Sequence, residues 1–163
     1  MQNLWKKVNK MADSVTVTVI GGNECAAKFY KLSAEQEVKV AQQIVKSALK
    51  IETDAKRRAP SDLGFLRSGI VTRIMQKGFE ADIVATKDYS AAIENGSKPH
   101  FPPPSALAGW ASRHGMTGLE YVIARAISIR GTTAQPFLFP AWKAEQSDFT
   151  AGMIQICKEL ENG

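Results

Sequence analysis

Arg113-His114-Gly115 is the tripeptide most suggestive of catalysis, because a histidine beside an arginine can attack a phosphate that the guanidinium clamps. Such a site also needs further phosphate-holding arginines and an early position just after a strand. Here the tripeptide falls at the end of a predicted helix, where His and Gly are ordinary terminal residues. His100 stands in a proline-rich loop with no Cys or second His nearby, whereas a metal site needs several converging ligands. Asp62, Glu80, Asp82, Glu94 and Lys87 are the residue types of a metal-dependent nuclease, yet no acidic pair with a lysine has a recognised spacing on one strand. No Gly-rich phosphate loop and no activated Ser or Cys nucleophile is visible. Cys25 and Cys157 lack zinc or redox spacing and read as free buried thiols. No catalytic residue, metal or cofactor is expected, with a small hydrolase around Arg113 and His114 as one alternative.

With 163 residues, 44% of them hydrophobic and 23% charged, the chain is expected to form a single domain, 1–163, with residues 1–13 as an N-terminal arm. No apolar run approaches the roughly 18–20 residues that span a bilayer. Lys6, Lys7 and Lys10 are not followed by an apolar segment of signal-peptide length, so no membrane partner is expected and assembly in a cytoplasm is. The net charge of +5 is uneven: residues 1–33 carry five Lys against Asp13 and Glu24. A second alternative is therefore a nucleic-acid-binding protein using Lys6, Lys7, Lys10 and Lys56 to Arg58. The competing reading of Lys56-Arg57-Arg58 is a helix C-terminus whose dipole they complement.

The elements that would position these groups follow from periodicity. Leu4, Trp5, Val8 and Met11 recur at helical spacing, and Ser14 to Ile20 alternates as a strand. Ser33 with Gln36 makes a capping box for a helix from Ala34 to about Ala59. Its apolar stripe takes Val38, Ala41, Val45 and Ala48, shading into Ile44, Ile51 and Ala55. Pro60, Asp62 and Gly64 then build a tight corner, Gly64 by a positive φ, that delivers Phe65 and Leu66 into an apolar layer beside Arg67. Leu66 to Met75 and Phe79 to Thr86 form a hairpin around Gln76-Lys77-Gly78. A short helix capped by Asp88 ends at Asn95-Gly96, and Pro102 to Pro104 start another that ends near His114-Gly115. Residues 120–130 are apolar on nearly every face and are expected to be buried, between subunits in one reading. The last helix starts at Pro140 and presents Trp142, Phe149, Met153, Ile156 and Leu160. Between Pro136 and Pro140, alternation sends Leu138 inward and Phe137 and Phe139 outward, the competing reading being that both rings cap the core. The fold class is α+β, a small antiparallel sheet packed against the long helix, with additional helices including a C-terminal one.

Three of these stretches also carry a family likeness. Ala59-Pro60-Ser61-Asp62-Leu63-Gly64-Phe65-Leu66-Arg67 with Ile70, then Tyr89, Ile93, Glu94 and Gly96 running into Lys98 to Pro103, and finally Pro136-Phe137-Leu138-Phe139-Pro140-Ala141, occur in order. Together they resemble a family of minor tail, neck or tail-completion proteins of long-tailed bacteriophages and prophages. Leu63 stands where that family usually has Thr, and Gly69 where it has Ser, so packing rather than hydroxyl bonds would hold the corner. The resemblance implies a non-enzymatic structural protein of the virion, acting at the neck or upper tail in tail completion or head–tail joining. It implies a ring of copies, commonly hexameric, coaxial with the DNA path, contacting adjacent neck and tail proteins while DNA passes without specific binding. Glu94, His100, Phe101, Pro102, Phe137 and Phe139 are the expected subunit or partner contacts, and the loops 95–104 and 131–140 are expected to be ordered only on assembly.

Overall fold

A long helix, α1 (Ala34–Arg58), organises the first of two compact units. The computed structural model describes residues 9–11, 14–20 and 34–161, and the capping-box residue Ser33 and Cys25 lie outside them. One unit is built from the chain up to Ser90 and from Pro136 onward; the other is Ala91–Gln135. Glu35 and Glu37 in the first turn of α1 and Lys56, Arg57 and Arg58 in the last both complement the helix dipole. At 25 residues the helix is about 37 Å long, enough to run the length of the sheet beside it.

That sheet is antiparallel with strand order β1-β2-β4-β3, from β1 (Asn9–Met11), β2 (Ser14–Ile20), β3 (Ile70–Met75) and β4 (Glu80–Ala85). The arm predicted as a helix thus pairs as an edge strand where it is described, Asn9 opposite Thr16 and Met11 opposite Ser14. Side chains alternate across a strand, so one register row buries Val15, Ala85 and Ile70, and the next aligns Val17, Ile83 and Thr72. The α+β architecture expected from the residues is what forms. The buried row of α1 is Val40, Ile44, Ala48, Ile51 and Ala55, whereas Val38, Ala41 and Val45, assigned to the core stripe from spacing, are exposed or half-exposed. Two adjacent apolar stripes share this helix, and periodicity alone does not say which one meets the sheet.

The C-terminal helix, α6 (Leu138–Glu161), lies antiparallel against α1. Contacts run from Lys39 with Glu159 at one end, through Gln43 beside Gly152, to Lys50 with Glu145 and Asp148 at the other. Inside this seam the fully buried Ser47 donates Oγ–H to Glu145 Oε1 at 2.9 Å. Leu138, Ala141, Phe149 and Met153 are the buried residues of α6.

The corner after α1 differs from the expected strand entry. Residues Phe65–Ser68 form one helical turn, α2, and β3 begins only at Ile70. Neighbouring side chains on a helix diverge by about 100° rather than 180°, so Leu66 is buried while Phe65 is 58% exposed. Leu63 is 55% exposed, so packing does not hold the corner. Hydrogen bonds do: Arg67 Nε–H donates to the Ala59 carbonyl at 3.1 Å, Thr86 Oγ–H to Gly69 at 3.0 Å, and Ser68 Oγ–H to Phe65 at 3.0 Å.

The second unit comprises most of α3 (Ser90–Asn95), then α4 (Pro104–Arg113) and α5 (Glu120–Arg130). Only Ala124 of α5 is buried; Tyr121, Val122 and Ile129 are exposed, so the expected burial of this helix within its own chain is not found. The flanking loops are already tied together. Ser97 N–H and Thr132 N–H each donate to the other's carbonyl at 3.2 Å, and Thr132 Oγ–H donates to Ser97 Oγ at 2.9 Å. Gln135 N–H donates to the Ile93 carbonyl at 2.8 Å.

Two outcomes follow. Gly64 has φ +78°, and no atom lies within 4 Å of where a Cβ would stand, so a side chain there meets backbone strain without a clash. Gly64→Val lowers stability by about 1–3 kcal/mol in thermal or urea unfolding, and unchanged melting would show that the corner tolerates any residue. The α1–α6 seam also predicts a pH response. Glu159 is held below its ordinary value near 4.5 by the Gln155 amide and then by Lys39, so its stabilising contribution is present above that value and lost as pH falls through the depressed one. Melting followed on the acid side should therefore decline less steeply for Glu159→Gln than for the wild type.

Candidate assembly surfaces

Several of the groups that could do chemistry have structural partners, while Asp82 Oδ1 is buried without a hydrogen-bond partner among the described residues. His114 follows α4, where its ring stacks on Trp110 at 4.3 Å between centroids and its Nδ1 lies 2.9 Å from the Trp110 carbonyl oxygen. His100 is exposed, with Nδ1 2.9 Å from the Lys98 carbonyl oxygen. Glu80 accepts from the Gln76 amide at 2.8 Å. Among the described residues no group of three or more His, Cys, Asp or Glu side chains converges on a metal position. The basic triplet is largely compensated along its own helix, three cations against two carboxylates: Lys56 pairs with Glu52, and Arg57 and Arg58 share Asp54. Burial lifts the Asp54 carboxyl, but the Arg58 and Arg57 guanidiniums outweigh it and hold it below its ordinary value. Lys6 and Lys7 lie outside the described residues.

Surface apolar groups are the more informative feature. Along α1 the second stripe, Val38, Ala41, Val45 and Leu49, faces Ile74, Met75 and Phe79 at the hairpin end of the sheet across an open groove of about 1190 Å³. Its lining is mainly apolar, and Val38, Leu49 and Ile74 are each about half exposed. Lys46 and Lys77 stand at its rim. The hairpin tip holds Gln76 at φ +47° and Lys77 at φ +57°, a left-handed conformation that Asn or Gly adopts more cheaply. Gly78 packs its backbone directly onto Ala41 and Val45, leaving no room for a larger residue between hairpin and helix. Sequence spacing had placed Val38, Ala41 and Val45 in the core stripe, and Ile74 is an apolar residue that stays exposed at its place in β3.

A second apolar feature sits at the other end of the sheet. There Leu63 and Phe65 project from the corner, and Tyr89 is 45% exposed next to Asp88. Hydrogen bonds between Thr86 and Gly69 hold the two chain segments together.

The expected contact residues divide. Phe101 and Pro102 stay on the surface of the second unit, with Phe101 edge-on to Tyr121 at 6.0 Å, and His100 is exposed beside them. Glu94 is buried and does not offer a contact surface. The outward placement of Phe137 is corrected: it is fully buried, as is Leu138, while Phe139 is 48% exposed and leans on Trp142 at 5.5 Å. The cause is that α6 already begins at Leu138, so strand-like alternation between the prolines never applies.

The first unit is thus a small sheet backed by two long helices with uncovered apolar surface. Residues 23–96, somewhat under half of the chain, match the HK97-gp10-like family, described as "Bacteriophage HK97-gp10, putative tail-component". No curated protein and no solved structure gives a significant match. The likeness to a phage tail-component family therefore holds over α1, the corner, the hairpin and α3, and it contains the first motif and the second as far as Gly96. The Pro-Phe-Leu-Phe-Pro-Ala segment lies beyond it. No helix among the described residues is long and apolar enough to cross a membrane.

The two phenylalanines should separate cleanly on mutation. Phe137→Ala is expected to cost about 3–5 kcal/mol as a core truncation. Phe139→Ser should cost less than about 1.5 kcal/mol and leave far-UV circular dichroism unchanged. Equal destabilisation by the two would contradict the burial difference.

Proposed function

We propose that this chain, acting as one domain, is a non-enzymatic neck or upper-tail protein in tail completion or head–tail joining. Its copies close into a ring, hexameric by the family resemblance, coaxial with the DNA path. The observation that carries the reading is the set of large apolar side chains left exposed on the first unit, Val38, Leu49, Leu63, Phe65 and Ile74, within a chain similar to tail components. Surface of this kind concentrated at two places favours association over an isolated monomer. Exposed Phe101, His100 and Phe139, with half-buried Pro102, supply further contacts toward adjacent neck and tail proteins. DNA passes through the lumen without specific recognition, a reading supported by the pairing of Lys56, Arg57 and Arg58 within α1.

Electron microscopy of the purified protein, alone and in virions, should show rings with a central opening, located between head and tail. A species that remains monomeric at high concentration and is absent from virions would overturn the reading. His114→Ala and His100→Ala should keep the fold and abolish no activity; phosphatase or metal-dependent nuclease turnover that either change removes would favour the hydrolase instead.

A further inference from the structure

Resting on the ring reading, we propose that the groove along α1 of one copy receives the corner of the next, Leu63 and Phe65, so that subunits join head to tail. Both surfaces belong to the first unit, and both are apolar and open among the described residues. The sheet wall of the groove and the base of the knob lie at opposite ends of the sheet, while the helical wall of the groove runs from Glu37 to Arg57. The groove is walled by Met75 and Phe79 at the hairpin end of β3 and β4, and the knob is anchored through Gly69 and Thr86 at the other end. Six strand residues separate the two ends, about 20 Å at roughly 3.3 Å per residue, so one copy can use both surfaces at once.

Shape and charge agree in sense. One surface is a recess and the other a projection of large side chains on a glycine-bearing turn. The recess is lined by Lys46, Lys50, Arg57 and Lys77 against Glu37 and Asp54, an excess of positive charge, while Asp62 and Asp88 adjoin the projecting residues in sequence, with Arg67 and Lys87 also near. A recess that met another recess about a two-fold axis would bring Lys46 and Lys77 toward their own copies, an unfavourable juxtaposition. Two different patches in contact make a heterologous interface, and repetition of such a contact closes a ring when the rotation per subunit allows it.

Sedimentation velocity on the full chain tests this through complementation. Leu49→Glu spoils the groove and Leu63→Glu spoils the knob; both residues are about half exposed, so circular dichroism should stay that of the wild type. Each variant alone is expected to be monomeric. An equimolar mixture should form a species of two copies that grows no further, because only one intact groove and one intact knob remain to meet. A second pair guards against misfolding: Lys46→Glu with Lys77→Glu should weaken assembly at least tenfold at low salt, and Asp62→Lys with Asp88→Lys in the same chain should restore it. Variants that keep the wild-type assembly, mixtures that stay monomeric, or charge reversal without rescue would each overturn the groove–knob contact while leaving the ring reading standing. A wild type that is monomeric throughout would overturn both.

Discussion

Everything in the first unit follows from how little of α1 its neighbours can cover. A helix touches a flat sheet along one arc and a second helix along another, and the rest of its circumference faces out. On α1 the sheet and α6 between them bury Val40, Ile44, Ala48, Ile51 and Ala55. The apolar surface of α1 is wider than that, so the Val38 to Leu49 stripe remains. The seam with α6 fixes which arc is left over. Ser47 bonded to Glu145 is a directional contact at a fully buried hydroxyl, and losing Glu145 would leave that hydroxyl unpaired. Gly152 lies where a Cβ would meet the Gln43 amide, so the two helices approach closely there.

The hairpin completes this constraint. Because Gly78 sits against Ala41 and Val45, the sheet end is fastened to the helix at the groove's floor, and the walls cannot part or close independently. The positive φ angles of Gln76 and Lys77 are sustained by that fastening. Local strain, close packing and an open apolar recess thus occur within one turn of chain, and they share a cause.

Much of the architecture was legible in the residues. The alternation of Ser14 to Ile20, the helix ending before Pro60, the positive φ of Gly64 and the Gly-bearing hairpin each appear where local chemistry puts them, since each depends on near neighbours alone. What was not legible needed tertiary partners. Which stripe of α1 is buried depends on the sheet; whether Phe137 faces in depends on α6 starting at Leu138; whether α5 is covered depends on what stands beside it. The corner shows the same division. Its position was readable from Pro60 and Gly64, but its hold on Ala59 through Arg67, and the outward aim of Phe65, arise from a helical turn that local spacing did not distinguish from a strand start.

The reciprocal Ser97–Thr132 bridge has an evolutionary consequence. It brings together two residues 35 positions apart, so the chain leaves and returns at nearly the same point. An excursion closed at its base can lengthen, shorten or be exchanged with little effect on the backbone outside it, as with a cartridge in a socket. The family match stops at residue 96, immediately before that base. The α4–α5 excursion can therefore change its exposed side chains with little effect on the backbone on either side of that base.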